Sequence, residues 1–319
     1  MVRNQLKGIG LMVLCVLFFA VMDAIGKKQS DALPTFQVLF LRSAIILALS
    51  ALWMRMSGIQ ISNLFSIPDI ELQSFRGIVW ALTALWFYLA FAGGSLASVY
   101  LISFLHPAAA IFFAWALRGQ RARASVFLPI ALMFFGIYVS LGSSEWSIAL
   151  GASLFAFLAA IFFGLEAALT KQIEQTEQRA NEIETLAFSA LVGALVFSIG
   201  IAAHHFFWME GISAFSNADT LSIVTIEDTV GIAFRPIGIA DSVLLVLQGT
   251  AGFAGNLALI YAYNFANEDL LAPIDYLIVI FGAVIGFLFF GDTLSLTFWI
   301  GASIIVLGGV WLSVVSSKE

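Results

Sequence analysis

Two stretches of this chain are copies of one another, and each is built to cross a membrane. Within residues 268–315, apolar runs at about 270–290 and 296–315 flank the polar turn Gly291-Asp292. Each run is close to the ~20 residues that a helix needs to span a bilayer. Residues 97–141 repeat the pattern. A shift of 173 positions lays Tyr100 on Pro273, Ser103 on Tyr276, Gly119 on Asp292, and Gly136-Ile-Tyr-Val-Ser-Leu141 on Gly309-Val-Trp-Leu-Ser-Val314. A second match, at an offset of 143, lays Leu17-Phe-Phe-Ala-Val-Met-Asp-Ala-Ile-Gly-Lys-Lys-Gln29 on Ala160-Ile-Phe-Phe-Gly-Leu-Glu-Ala-Ala-Leu-Thr-Lys-Gln172. The offset grows by about 30 residues between the two matches, and the long connection at 205–240 is where they would sit.

Composition decides what kind of repeat this is. The chain is 61% hydrophobic and 11% charged, with a mean hydropathy of +1.01. Soluble domains run nearer ~45–50% apolar and ~25% charged, so the chain reads as an integral membrane protein. Its apolar runs are long and continuous, which excludes the weak alternation of a β-barrel and leaves helices. One cysteine, Cys15, gives neither a disulfide framework nor a thiolate metal cluster. Arg3 and Lys7 precede an apolar run as in a signal peptide. No small-residue cleavage site follows, and bulky Leu14 spoils a lipobox at Cys15, so residues 7–26 are expected to stay as the first span.

Ten helices fit the runs: roughly 7–26, 36–55, 76–93, 96–117, 124–143, 148–170, 184–204, 241–263, 270–290 and 296–315. The first five and the second five form two repeats, 1–146 and 147–319, the second carrying an outer insertion at about 205–240. Five is odd, so the second copy must cross upside down. Inverted-topology repeats are a recurrent design of secondary transporters, with the substrate site near the midplane where the copies meet. With the N-terminus inside, ten of the 14 Lys and Arg fall in inner segments, among them Arg118, Arg121, Arg123 and Arg179. Only Lys27, Lys28 and Arg235 fall outside, and Arg42 lies within a span. This positive-inside bias puts both termini in the cytoplasm. Gly282 with Gly286, and Gly249, Gly252 and Gly255, supply small-residue surfaces for close helix packing.

An ionisable group inside a span costs at least ~2.5 kcal/mol, so each such group needs a partner or a water-filled cavity. Asp23 lies near the outer end of the first helix and Glu166 near the inner end of the sixth, as inversion of one duplicated position requires. Lys27 is one turn beyond Asp23, and Arg42 enters at a similar depth. These residues are either interfacial ion pairs or an acidic gate at each face. Asp275 and Tyr276 follow Pro273, which interrupts the hydrogen-bond ladder of the ninth helix. There Asp275 either meets a ligand or caps the next turn. Tyr100, Ser103 and His106 share a face of the fourth helix ahead of Pro107. His106 is a proton-coupling candidate or a satisfied structural histidine. Asn256 and Tyr261 in the eighth helix and Trp80, Trp86 and Tyr88 in the third are candidates for an aromatic-lined pocket, although aromatics also face lipid. No His-x-x-x-His pair, carboxylate–histidine cluster or Gly-rich phosphate loop is visible, so neither an enzyme nor a metal or cofactor is expected.

The residues Met22-Asp-Ala24 with Lys27-Lys28, Phe40-Leu-Arg42, Ala258-Leu-Ile-Tyr-Ala262, Leu271-Ala-Pro-Ile-Asp-Tyr276 and Phe289-Phe-Gly-Asp292 resemble, in order and spacing, the drug/metabolite transporter superfamily with two EamA domains. The family's glutamate after the fourth and ninth helices stands here as Asp292, while the first copy has Gly119-Gln120. The resemblance implies a bacterial inner-membrane carrier of small metabolites, its cavity lined by the third, fourth, eighth and ninth helices. It is nearest to the branch holding S-adenosylmethionine, riboflavin and opine-type metallophore transporters. The expected partners are a small-molecule substrate (amino-acid-, nucleoside- or vitamin-like) and the lipid bilayer, with no nucleic acid. Proton coupling through Asp275 and His106 and facilitated exchange both stay open, as does a homodimer. The competing class is a non-transporting scaffold or accessory subunit that presents the 205–240 loop.

Overall fold

The computed structural model describes residues 2–119, 124–141, 150–175, 180–210 and 234–316. Throughout these residues the regular structure is helical. The first three spans are α1 (Val2–Ser30), α2 (Thr35–Met56) and α3 (Ile70–Gly93). The fourth is two pieces, α4 (Leu96–Ser103) and α5 (His106–Arg118), and the fifth is α6 (Phe127–Leu141) behind a short 3₁₀ turn. The second copy runs α7 (Leu150–Glu174), α8 (Glu182–Glu210), α9 (Ile239–Phe265), α10 (Glu268–Asp275), α11 (Leu277–Ile285) with a π-turn at Gly286–Phe290, and α12 (Leu296–Ser316). Among the described residues eight spans are long and apolar enough to cross a membrane, and the shorter apolar helices Ala124–Ser140 and Leu296–Leu312 complete the ten.

Two boundaries differ from expectation in ways that matter for the site. The third span begins at Ile70, one and a half turns before Arg76, which buries that arginine inside the helix. The backbone of residues 205–210 continues α8, so those positions are helix rather than loop. The rest of the insertion, residues 211–233, lies outside the described residues, as do Gln120, Arg121, Arg123 and Arg179.

Contacts between helices come in pairs that exchange the two copies. α1 packs along α9 as α3 packs along α7; α2 packs on α9 as α8 packs on α3. The α6–α12 and α2–α8 contacts each pair a helix with its own counterpart. The α6–α12 crossing is close because Gly136 and Gly301 face each other, each lying where a Cβ would strike the other's carbonyl. Apolar side chains point outward along these helices, among them Tyr138, Phe287 and Leu307, each at least 64% exposed. Such a surface suits a lipid environment and would be unusually apolar in water.

Candidate functional site

Both broken helices are interrupted at equivalent positions. Pro107, which has no N–H, opens α5, so the ladder of α4 ends at Ser103. Ser103 Oγ donates to the Tyr100 carbonyl at 2.7 Å, and His106 Nδ1 lies 3.0 Å from the Ser103 carbonyl. The expected shared face of Tyr100, Ser103 and His106 is therefore broken, because His106 begins a new helix. Its ring sits 4.4 Å from that of Phe163 on α7. In the second copy the break falls at Tyr276, the position equivalent to Ser103, just after Pro273.

The two ninth-span candidates diverge. No side chain caps the start of α11, and Asp275 makes no hydrogen bond or ion pair among the described residues. The carboxylate is half-buried and its electrostatic neighbour is Cys15 of α1. Tyr276, by contrast, is buried in an apolar cluster: its ring lies 4.4 Å from that of Phe104 and covers Gly309 of α12. Gly282 of α11 is covered by the Tyr100 ring, which would stand 2.7 Å from a Cβ there. The two broken spans meet at that glycine.

Around one end of this crossing, called here the Lys27 end, lies the first polar cluster. Tyr100 Oη donates to Asp23 Oδ2 at 2.8 Å, joining α4 to α1. Arg42 of α2 is an electrostatic neighbour of both Asp23 and Tyr88, yet forms no hydrogen bond or ion pair among the described residues. Lys27 does not partner Asp23. It reaches instead to Asp292 at 3.6 Å and to the Gly94 carbonyl at 2.7 Å, and sits 4.9 Å above the Phe290 ring. That contact ties α1 to the α3–α4 connection and to the turn before α12.

The second cluster lies at the Lys7 end and was not foreseen as a unit. Arg76 of α3, 7% exposed, pairs with Glu166 of α7 at 3.9 Å. Its guanidinium also donates to the Thr185 carbonyl at 3.2 Å and to Ser189 Oγ, both on α8. One turn earlier Gln73 is fully buried with both amide atoms unpartnered.

The remaining candidates are scattered. Asn256 donates at 2.8 Å to the Gly252 carbonyl of its own helix. Tyr261 is 39% exposed, edge-on to Trp53 at 6.4 Å, outside both clusters. Trp80 packs on Gly193 of α8 beside Ser43, and Trp86 stacks on Phe155 at 5.8 Å. Tyr88 turns the other way, onto Gly26 of α1. Gln248 of α9, which sequence reasoning passed over, meets the same glycine and is 1% exposed. An amide in the middle of an apolar span was the signal that could have found it. An open hollow at the Lys7 end, lined by Asp69, Glu71, Phe75 and Gln172 among others, lies away from the central crossing. Among the described residues no three His, Cys, Asp or Glu side chains gather as metal ligands.

Comparison with known proteins agrees with this architecture. A solved structure covering 99% of this chain and of its own superposes with a TM-score of 0.60 at 15% identity, a likeness of fold. The pseudopaline exporter of Pseudomonas aeruginosa is 24% identical over 314 residues, 98% of each chain. An uncharacterized transporter of Helicobacter pylori is 23% identical over 98% of this chain and 96% of its own. The EamA-like transporter family matches residues 6–142 and again 150–314. Two family matches covering nearly all of a helical membrane chain settle its membership: the protein belongs to the EamA-like transporter family of the drug/metabolite transporter superfamily.

Proposed function

We propose that the protein is a secondary transporter that moves a small amino-acid-, nucleoside- or vitamin-like metabolite across the bacterial inner membrane by alternating access, with both termini in the cytoplasm. The observation that carries this reading is the meeting of the two broken spans at Gly282, between a charged cluster at each end. Discontinuous helices at the interface of inverted repeats are where secondary transporters hold their cargo, because freed backbone groups and half-helix ends face a cavity there. The relatives named as transporters support a carrier, and the excess of Lys and Arg in alternate connections supports the orientation.

In this reading Lys27–Asp292 closes the outer face and Arg76–Glu166 the inner one. Each links elements of the two repeats, so each must part before the corresponding side opens. Asp275, which forms no hydrogen bond or ion pair among the described residues and stands at the helix break, is the candidate for cargo or proton contact, with His106 at the matching break of the other copy. Purified protein in proteoliposomes, incubated with a mixture of metabolites whose lumenal content is then read by mass spectrometry, tests this. Accumulation of a solute over empty liposomes, lost in Asp275→Asn and His106→Ala, is the expected result. If no solute enters, the transporter reading fails and the scaffold class replaces it; flux unchanged in both variants overturns the two residue assignments alone.

A further inference from the structure

At the Lys27 end, side chains from three helices gather beside α1, and each keeps a buried polar atom without a partner among the described residues. Tyr88 of α3 and Gln248 of α9 both press on Gly26: a Cβ there would lie 2.8 Å from Gln248 Nε2 and 3.4 Å from the Tyr88 ring. Glycine at position 26 lets the Gln248 amide come nearer to α1 than a Cβ would allow, while Tyr88 stands at ordinary contact distance. Arg42 of α2 is the electrostatic neighbour of Tyr88 and of Asp23, which stands three residues before Gly26 on the same face of α1. Arg42, Tyr88 and Gln248 are 6%, 3% and 1% exposed, and Arg42 Nε, Tyr88 Oη and Gln248 Oε1 are buried with no hydrogen-bond partner among the described residues.

Helix packing alone does not account for this. Buried polar groups are bonded in nearly all folded proteins, and a guanidinium held within a span without an acceptor is among the most costly to leave so. Asp23 does not answer it by contact: its Oδ2 accepts from Tyr100, and no ion pair with Arg42 forms. The Arg76 cluster shows what a structural arginine looks like in this same protein, with a carboxylate, a hydroxyl and a carbonyl around it.

We propose that Arg42, Tyr88 and Gln248 form a ligand subsite for a carboxylate, with Asp23 beside it taking the amine of the same molecule. The guanidinium fork and the tyrosine hydroxyl donate to the carboxylate. The open Gln248 Oε1 and the free Asp23 oxygen accept from N–H groups. Charge selects the class: Arg42 and Asp23 sum to zero, and so does an amino acid. The loaded site therefore carries no net charge into the membrane interior, where an uncompensated charge is expensive. A phosphate dianion would add a second negative charge beside Asp23 and is disfavoured on the same ground.

This assignment rests on the transporter reading, and its test separates the two. The full-length protein in nanodiscs is unfolded by heat in the presence of L-amino acids, their α-amides, O-phosphoethanolamine and nucleosides, each at millimolar concentration. Binding raises the midpoint by mass action. The expected result is that at least one free amino acid stabilises the protein, that its amide binds at least about tenfold more weakly, and that Arg42→Gln abolishes the shift. Arg42→Lys, which keeps the charge and loses the fork, should retain a weakened response. The acid–amide comparison needs no variant and stands even if Arg42→Gln does not fold. Equal binding of acid and amide, stabilisation by O-phosphoethanolamine or nucleosides alone, or no response to any amino acid overturns the subsite. Flux of a neutral solute that ignores Arg42→Gln sinks the subsite and keeps the transporter. Amino-acid binding without flux of any solute sinks the transporter alone.

Discussion

Arg76 and Glu166 should be unequal partners. The pair is long, 3.9 Å, with side chains only 8% and 14% exposed, so neither charge is rescued by water if the other is removed. Arg76→Gln leaves the Glu166 carboxylate buried with no cation and also removes the bonds to Thr185 and Ser189. Removing one partner of a buried pair destabilises by ~3–5 kcal/mol. Glu166→Gln is milder, because Arg76 keeps its carbonyl and hydroxyl acceptors on α8; the lost interaction is then nearer ~1–3 kcal/mol. The assay is unfolding of the purified protein in mixed micelles of rising SDS content, followed by far-UV circular dichroism, with both single variants and the double Arg76→Gln/Glu166→Gln. The two effects should be non-additive, since residues in one network couple by ~0.5–3 kcal/mol. Equal destabilisation by the two single variants would refute the reasoning, because the bonds to α8 would then add nothing; strict additivity in the double would refute it too, because the pair would then be a loose neighbour contact with Arg76 held by α8 alone.

Two further outcomes follow from the geometry. In a Cys15→Ala background, cysteines at positions 27 and 292 joined by a short bis-methanethiosulfonate crosslinker, which spans the length of the lysine side chain, should lock the Lys27 end and stop transport until the link is reduced; continued flux with the crosslink formed would show that this contact is no gate. Gly309→Ala should destabilise by ~1–3 kcal/mol through overpacking, because the added methyl would collide with the Tyr276 ring, whereas Gly10→Ala meets open space and should be silent in the same thermal assay.

The long apolar runs made ten spans legible, and the two prolines announced the helix breaks, because a missing N–H acts locally whatever surrounds it. Partnerships were less readable. Lys27 stands one turn from Asp23 in sequence, yet its ammonium goes to Asp292, a choice made by how the two copies dock and not by helical spacing. Arg76 was placed at a boundary because Glu71 and Gln73 dilute the apolar signal ahead of it. The helix starts at Ile70 all the same, since Gln73 is fully buried and Ile70 and Leu72 continue the turn. Tyr261 and Tyr88 could not be told apart by type. α3 and α9 are apolar all round, so no amphipathic stripe marks which aromatic faces inward. Only the packing shows Tyr88 at 3% exposure and Tyr261 at 39%.

The duplication has diverged where it matters for direction. Asp23 and Glu166 occupy matched positions, but the tyrosine that bonds Asp23 has Pro273 as its counterpart, a residue with no hydroxyl to offer. Glu166 pairs instead with Arg76 of the opposite copy, so in the proposed cycle the two ends are closed by different chemistry. Two identical ends would give an inverted repeat equal free energies when open to either side, and cargo alone would then choose. Here the Lys27–Asp292 side chains are 16% and 19% exposed, against 8% and 14% for Arg76–Glu166. Water can replace the lost partner more readily at the first pair than at the second, so in the proposed cycle opening the Lys27 end should cost less. A ligand that shifts the balance must then interact differently with the two arrangements, since equal affinity moves no equilibrium. In the proposed subsite Arg42 would meet that condition. It lies inside the Lys27 end, next to Asp23, where parting of the α1 contacts would change what surrounds its guanidinium.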